Sequence, residues 1–143
     1  EGVPVSVSGN VQRSARAGSN KYVPLARVHI AASTATGQSP EIYVGFSLVA
    51  LAENTKGVPR SATAVQMLSY NSNGKDDEML PFSAMKTPGT VESFRLFFDG
   101  SDVTVDLGSE SKRFPLKTAD PIVRIMCSTG EFLFTNVTIE STR

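Results

Sequence analysis

Apolar and polar residues alternate with a period of two along most of this chain, and that period predicts strands. The clearest case sets Phe94, Leu96 and Phe98 against Arg95 and Phe97. Asp99-Gly100 then supplies turn chemistry, after which Val103, Val105 and Leu107 alternate with Thr104 and Asp106. Two β-rich runs flanking a Gly-containing turn predict a hairpin. Ser109 to Ser111 predicts a second turn, and Arg113 to Leu116 a short third strand. Ile122 to Ser128 is a further β-branched run, Thr129-Gly130-Glu131 a tight turn, and Phe132 to Ile139 the last strand.

That last strand is irregular. Phe132 and Phe134 share one parity, whereas Val137 and Ile139 take the other. Either both faces are apolar or a bulge near Thr135-Asn136 flips the register.

The first half shows the same period with less contrast. Val3, Val5 and Val7 alternate with Pro4 and Ser6; Ser8-Gly9-Asn10 reads as a turn, with Val11 to Ala15 pairing back. Tyr22 to Ala31 predicts a longer strand, with Val28 and Ile30 on one side and His29 on the other. Ile42 to Ala52 and Thr63 to Tyr70 predict two more. No apolar stripe recurs at helical spacing. The expected fold class is all-β, an antiparallel sandwich or barrel. With no internal repeat, low-complexity tract or linker, residues 1–143 read as one domain.

Composition narrows the function. At 143 residues the chain is long enough to bury a core without staples. Fourteen basic and fourteen acidic residues cancel, leaving no electrostatic footprint for nucleic acid or an anionic membrane. One Cys excludes an internal disulfide framework, and one His leaves little for metal binding or catalysis. There is no Trp. The start at Glu1 suggests a mature product or a piece of a larger protein. The longest apolar stretch, Val44 to Ala52, is far short of the roughly 18 residues of a membrane helix, so membrane insertion is not expected.

Candidate chemistry is sparse. His29 lies between Val28 and Ile30 and reads as structural or surface. Gly-x-Ser-x-Gly and phosphate-cradling Gly-rich motifs are absent. The one carboxylate cluster, Asp76-Asp77-Glu78, follows Asn71-Ser72-Asn73-Gly74-Lys75 and reads as a solvated loop without EF-hand spacing. Cys127 lies in an apolar run and is expected buried and inert. The sequon Asn136-Val137-Thr138 falls inside a predicted strand and reads as chance. No metal and no cofactor are implied.

From Tyr70 onward the residues resemble the galectin family. The resemblance runs in order through Tyr70-Asn71-Ser72, Pro81-Phe82, Pro88-Gly89, the Phe94 to Asp99 run, Val103-Thr104-Val105-Asp106-Leu107, Phe114-Pro115 and Gly130-Glu131-Phe132. Upstream, Val7-Ser8-Gly9-Asn10-Val11 is similar to an early turn of that family. It implies a galectin-like, jelly-roll β-sandwich.

The departures matter as much. Galectins hold β-galactosides with a His-x-Asn-Pro-Arg strand, an Asn, and a Trp-bearing segment whose indole stacks on the sugar. Aligning Phe46 with the family's Phe places Gly45 at the His, Ser47 at the Asn and Val49 at the Arg, within Tyr43 to Val49. Asn71 alone survives of the polar set, and the Trp segment is gone. A site built to hydrogen-bond a sugar loses several kcal/mol when its donors and stacking platform go, so galactoside binding is not expected.

A galectin-like domain without the sugar set resembles the C-terminal domains of apicomplexan micronemal adhesins. That resemblance implies a secreted, non-enzymatic adhesin domain. It would bind an EGF-like domain of a transmembrane partner adhesin and assist its folding and trafficking through the secretory pathway to the micronemal organelle. The candidate partner-binding residues are Tyr43, Gly45, Phe46, Ser47, Val49, Asn71, Phe97, Phe132 and Phe134; the alternative for the aromatics is core packing. A second class is a lectin of non-standard specificity using Asn71, the Asp76 to Glu78 segment and Tyr43 or Tyr70. A jelly-roll glycosidase needs a carboxylate pair across a cleft, and none is apparent.

Overall fold

The computed structural model describes residues 2–17, 25–34, 42–51, 65–72, 75–79, 90–128 and 130–142. The elements are β1 (Val5–Ala17), β2 (Leu25–Ala32), β3 (Tyr43–Leu51), β4 (Val65–Ser72) and β5 (Lys75–Met79). They continue with β6 (Val91–Phe98), β7 (Asp102–Leu107), β8 (Glu110–Pro115), β9 (Pro121–Ser128) and β10 (Gly130–Ser141). They form two five-stranded sheets, ordered β10-β1-β6-β7-β8 and β5-β4-β3-β2-β9, with antiparallel pairing throughout.

Alternation explains the sandwich. Phe94, Leu96 and Phe98 of β6, with Val103, Val105 and Leu107 of β7, turn inward from one sheet. Ala26, Val28 and Ile30 of β2, with Val44, Phe46 and Leu48 of β3, turn inward from the other. Full burial of a Val, Leu, Ile or Phe side chain contributes about 1.5–3 kcal/mol. The rings of Phe46 and Phe94, on opposite sheets, meet with centroids 5.5 Å apart.

The β6–β7 hairpin forms as the sequence predicts, pairing Phe94 with Leu107 and Phe98 with Val103. Its turn is held by Asp99, whose Oδ1 accepts the backbone N–H groups of Ser101 and Asp102 at 2.9 Å each. Arg113 of β8 donates from one guanidinium nitrogen to Asp99 at 2.7 Å and to Asp102 at 2.8 Å.

The bulge is present. Ser8 pairs with Thr138 but Asn10 with Thr135, so Asn136 and Val137 oppose the single residue Gly9. Asn136 adopts a φ of 53°, a left-handed conformation that Asn tolerates better than most residues. Phe134 pairs with buried Val11 and Ile139 with buried Val7, so both apolar runs of β10 share the inner side. A Cβ on Gly9 would lie 3.1 Å from the Thr135 carbonyl and 3.3 Å from the Val137 Cα, which is why the strand is bare there.

Three expectations are corrected. Ser8-Gly9-Asn10 is no turn: β1 runs unbroken through it, paired on both sides, and long-range pairing overrides turn composition. Asp76-Asp77-Glu78 is no loop: it lies in edge strand β5, paired to β4. Cys127 is exposed rather than buried, because β9 is the outermost described strand of its sheet.

Candidate functional site

The outer face of the sheet β5-β4-β3-β2-β9 takes the alternate residues that the core leaves. On β3 these are Tyr43, Gly45, Ser47 and Val49. Strand register then fixes their neighbours, since directly paired antiparallel residues share a face. Across the sheet Asn71 pairs with Gly45, Gly45 with His29, and His29 with Arg124. In the next row Ser69 pairs with Ser47, Ser47 with Arg27, and Arg27 with Met126.

Gly45 makes room for His29. A Cβ at Gly45 would collide with the Val28 carbonyl oxygen and would sit 2.6 Å from His29 Cδ2 and 2.8 Å from His29 Cα. The His29 ring stacks on Tyr43, with centroids 4.4 Å apart and planes 18° apart. His29 is consequently buried, although it belongs to the outer face. Below it Arg27 Nε donates to Ser47 Oγ at 3.1 Å, and Ser47 is buried too.

The nine residues singled out from sequence do not make one surface. Tyr43, Gly45, Ser47 and Val49 share this outer face, and Asn71 stands beside Gly45 in register. Phe46 is fully buried in the core, so it serves packing and cannot meet a partner. Phe132 and Phe134 pack against the core from β10. Phe97 is half-buried on the far side of the sandwich, with the Arg95 guanidinium 5.3 Å from its ring centroid. Arg27, His29 and Arg124 also belong to the outer face, and none of them is among the nine. The chain order of a single sequence does not show which residue of β2 or β9 stands beside Gly45.

A second surface lies at the edge of β10, which among the described strands pairs only with β1. From the bulge onward its inner side chains overhang the core: Val137 is 40% exposed and Ile139 57%; before it, Leu133 on the opposite face is 54% exposed. An unpaired strand edge carrying exposed apolar side chains is a ready template for another chain.

No family model and no curated protein matches this sequence. Solved structures do. Sheep galectin-11, solved in complex with glycerol, superposes with a TM-score of 0.51 at 13% identity, covering 98% of this chain and 92% of that one. The fold is galectin-like. A congerin II double mutant is similar over 96% of this chain and 94% of its own at 15% identity and a TM-score of 0.48. CG-16, a homodimeric agglutinin from chicken liver, covers 97% of this chain and 91% of its own at 14% identity and a TM-score of 0.47. Within the galectin-like sandwich, the strand position that the family resemblance gives to a His is Gly45, and the chain's one His stands directly across from it at His29.

Proposed function

We propose that this galectin-like domain is a non-enzymatic protein-interaction module that binds through the edge of β10. The supporting observation is the overhang of Val137 and Ile139 beside a backbone edge that no described strand pairs. Added strand pairing supplies main-chain hydrogen bonds, and the two apolar side chains supply anchors. The partner class is an EGF-like domain of a transmembrane adhesin met in the secretory pathway. Small disulfide-dense modules of that kind bury little core of their own. A partner that covers their apolar surface binds the folded form and raises its population by mass action, which is the assistance in folding and trafficking.

The outer face of the other sheet supports the same reading from the opposite direction. The His29–Tyr43 stack fills the ground over Gly45, where a galactoside would need donors and a ring platform. The test is calorimetric titration of the domain with an EGF-like domain of the partner adhesin, beside a glycan array. Binding that is lost in the Ile139→Lys variant, with a blank array, is the expected result. Galactoside binding with no protein affinity overturns it.

A lectin of non-standard specificity is the second reading. Register favours it at one place, where Asn71 stands between Gly45 and Asp76 on adjacent strands. Calcium-dependent glycan binding abolished by Asp76→Asn is the result it requires.

A further inference from the structure

The outer face of β2 and β9 holds two guanidiniums that the described part of the molecule leaves without a counter-charge. His29 pairs directly with Arg124, and Arg27 lies two residues along β2 on the same face. Diagonal neighbours of this kind have Cα atoms about 7–8 Å apart, within reach of one another for long side chains. Like charges so placed repel, and a fold gains nothing from them unless something negative joins them. Yet β2, β3 and β9 contain no Asp or Glu at all. Neither arginine forms an ion pair with a described residue, whereas Arg113 on the other sheet has two carboxylates.

The geometry of Arg27 adds a second point. Its Nε is committed to Ser47 Oγ, which fixes the plane of the guanidinium. Its two terminal nitrogens have no hydrogen bond to a described residue, and they are the pair that engages a carboxylate with two parallel bonds. A fork held in place by its own neighbour loses less freedom on binding than a free one.

We propose that Arg27 and Arg124 form a carboxylate clamp, and that its occupant is an acidic segment of a protein partner. Charge complementarity selects the acid. The surroundings select protein: half-buried Met126 pairs directly with Arg27, half-buried Tyr43 stacks on His29, which stands across from Arg124, and Tyr, Met and Arg are the residues enriched where proteins meet. The inference rests on reading the domain as a protein-interaction module. It places a second contact of that module on a different strand pair from the β10 edge.

The test is calorimetric titration of the whole chain with an acidic octapeptide of alternating Asp and Glu, at low and at physiological salt. Binding that weakens about tenfold or more in Arg124→Gln is expected, the scale for losing hydrogen bonds to a charged group. Arg27→Lys, which keeps the charge and loses the fork, should weaken it as well. Unchanged thermal unfolding of both variants shows that the fold is intact. Charge reversal in Arg124→Glu should abolish acidic-peptide binding and admit a Lys-rich octapeptide. Peptide binding that is absent, or indifferent to both arginines, overturns the clamp. So does a heparin-derived hexasaccharide that binds through these arginines while the peptide stays silent. Failure of the clamp leaves the effect of Ile139→Lys on partner binding untouched. Failure of the module reading shows instead as partner binding indifferent to Ile139→Lys.

Discussion

His29 lies flat against Tyr43, the two rings 4.4 Å apart and 18° from parallel, above a backbone that Gly45 leaves bare. The stack exists because Gly45 has no Cβ: His29 Cδ2 and Cα already occupy the space one would take. Gly45→Ala therefore forces the β2 backbone at Val28 and His29 away from β3. The expected cost is about 1–3 kcal/mol, the scale for overpacking a close-packed site. Urea unfolding of the variant against the parent measures it, and an unchanged midpoint would contradict the packing described here.

Asn136 carries the bulge in a left-handed conformation. Gly adopts that conformation freely, whereas a β-branched residue does not. Asn136→Val should destabilise by about 1–2 kcal/mol, the cost of left-handed backbone for an ordinary residue. Asn136→Gly should be close to neutral. Equal thermal stability of the two variants would count against the bulge.

Asp99 links stability to pH. Backbone N–H groups of Asp102 and Ser101 hold its carboxyl below the ordinary value of 3.8, with a further contribution from Arg113. A depressed acid favours the folded state when ionised. The contribution is present above the ordinary value and is lost as pH falls through the lower, folded value. Comparing urea midpoints at neutral pH and below pH 3.8, Asp99→Asn should show a shallower acid loss than the parent. Identical acid limbs would remove Asp99 from the account.

Cys127 is the single thiol of the chain and is exposed on β9. It should react with a disulfide reagent in the native state, one equivalent per chain, without denaturant. Reaction only after unfolding would restore the buried position that its apolar flanks suggest.

Local patterning carried the fold where partners are near in sequence. The Phe94 to Leu107 hairpin is legible because both strands and their turn lie within one short stretch. The parity flip between Phe134 and Val137 was legible only as a choice between a strand apolar on both faces and a bulge, and the register against β1 decides for the bulge. Ser8-Gly9-Asn10 misled because its composition is that of a turn. What makes it strand is pairing with β6 and β10, residues far along the chain. The acidic run at Asp76 misled likewise, being poor in strand formers yet paired to β4. The candidate site was half legible. Replacement at Gly45, Ser47 and Val49 is visible in order, but the arrival of His29, Arg27 and Arg124 beside them is a fact of register. Exposure of Cys127, and of Val137 and Ile139, follows from which strands end up outermost, and composition does not encode strand order.

Hydrogen–deuterium exchange of the domain, free and bound to an EGF-like domain of the partner adhesin, tests the central claim most directly. Strand addition at β10 predicts slowed exchange at alternate amides between Gly130 and Ser141, those whose N–H groups face away from β1. Protection confined to other strands, with the β10 amides exchanging as in the free domain, would contradict it.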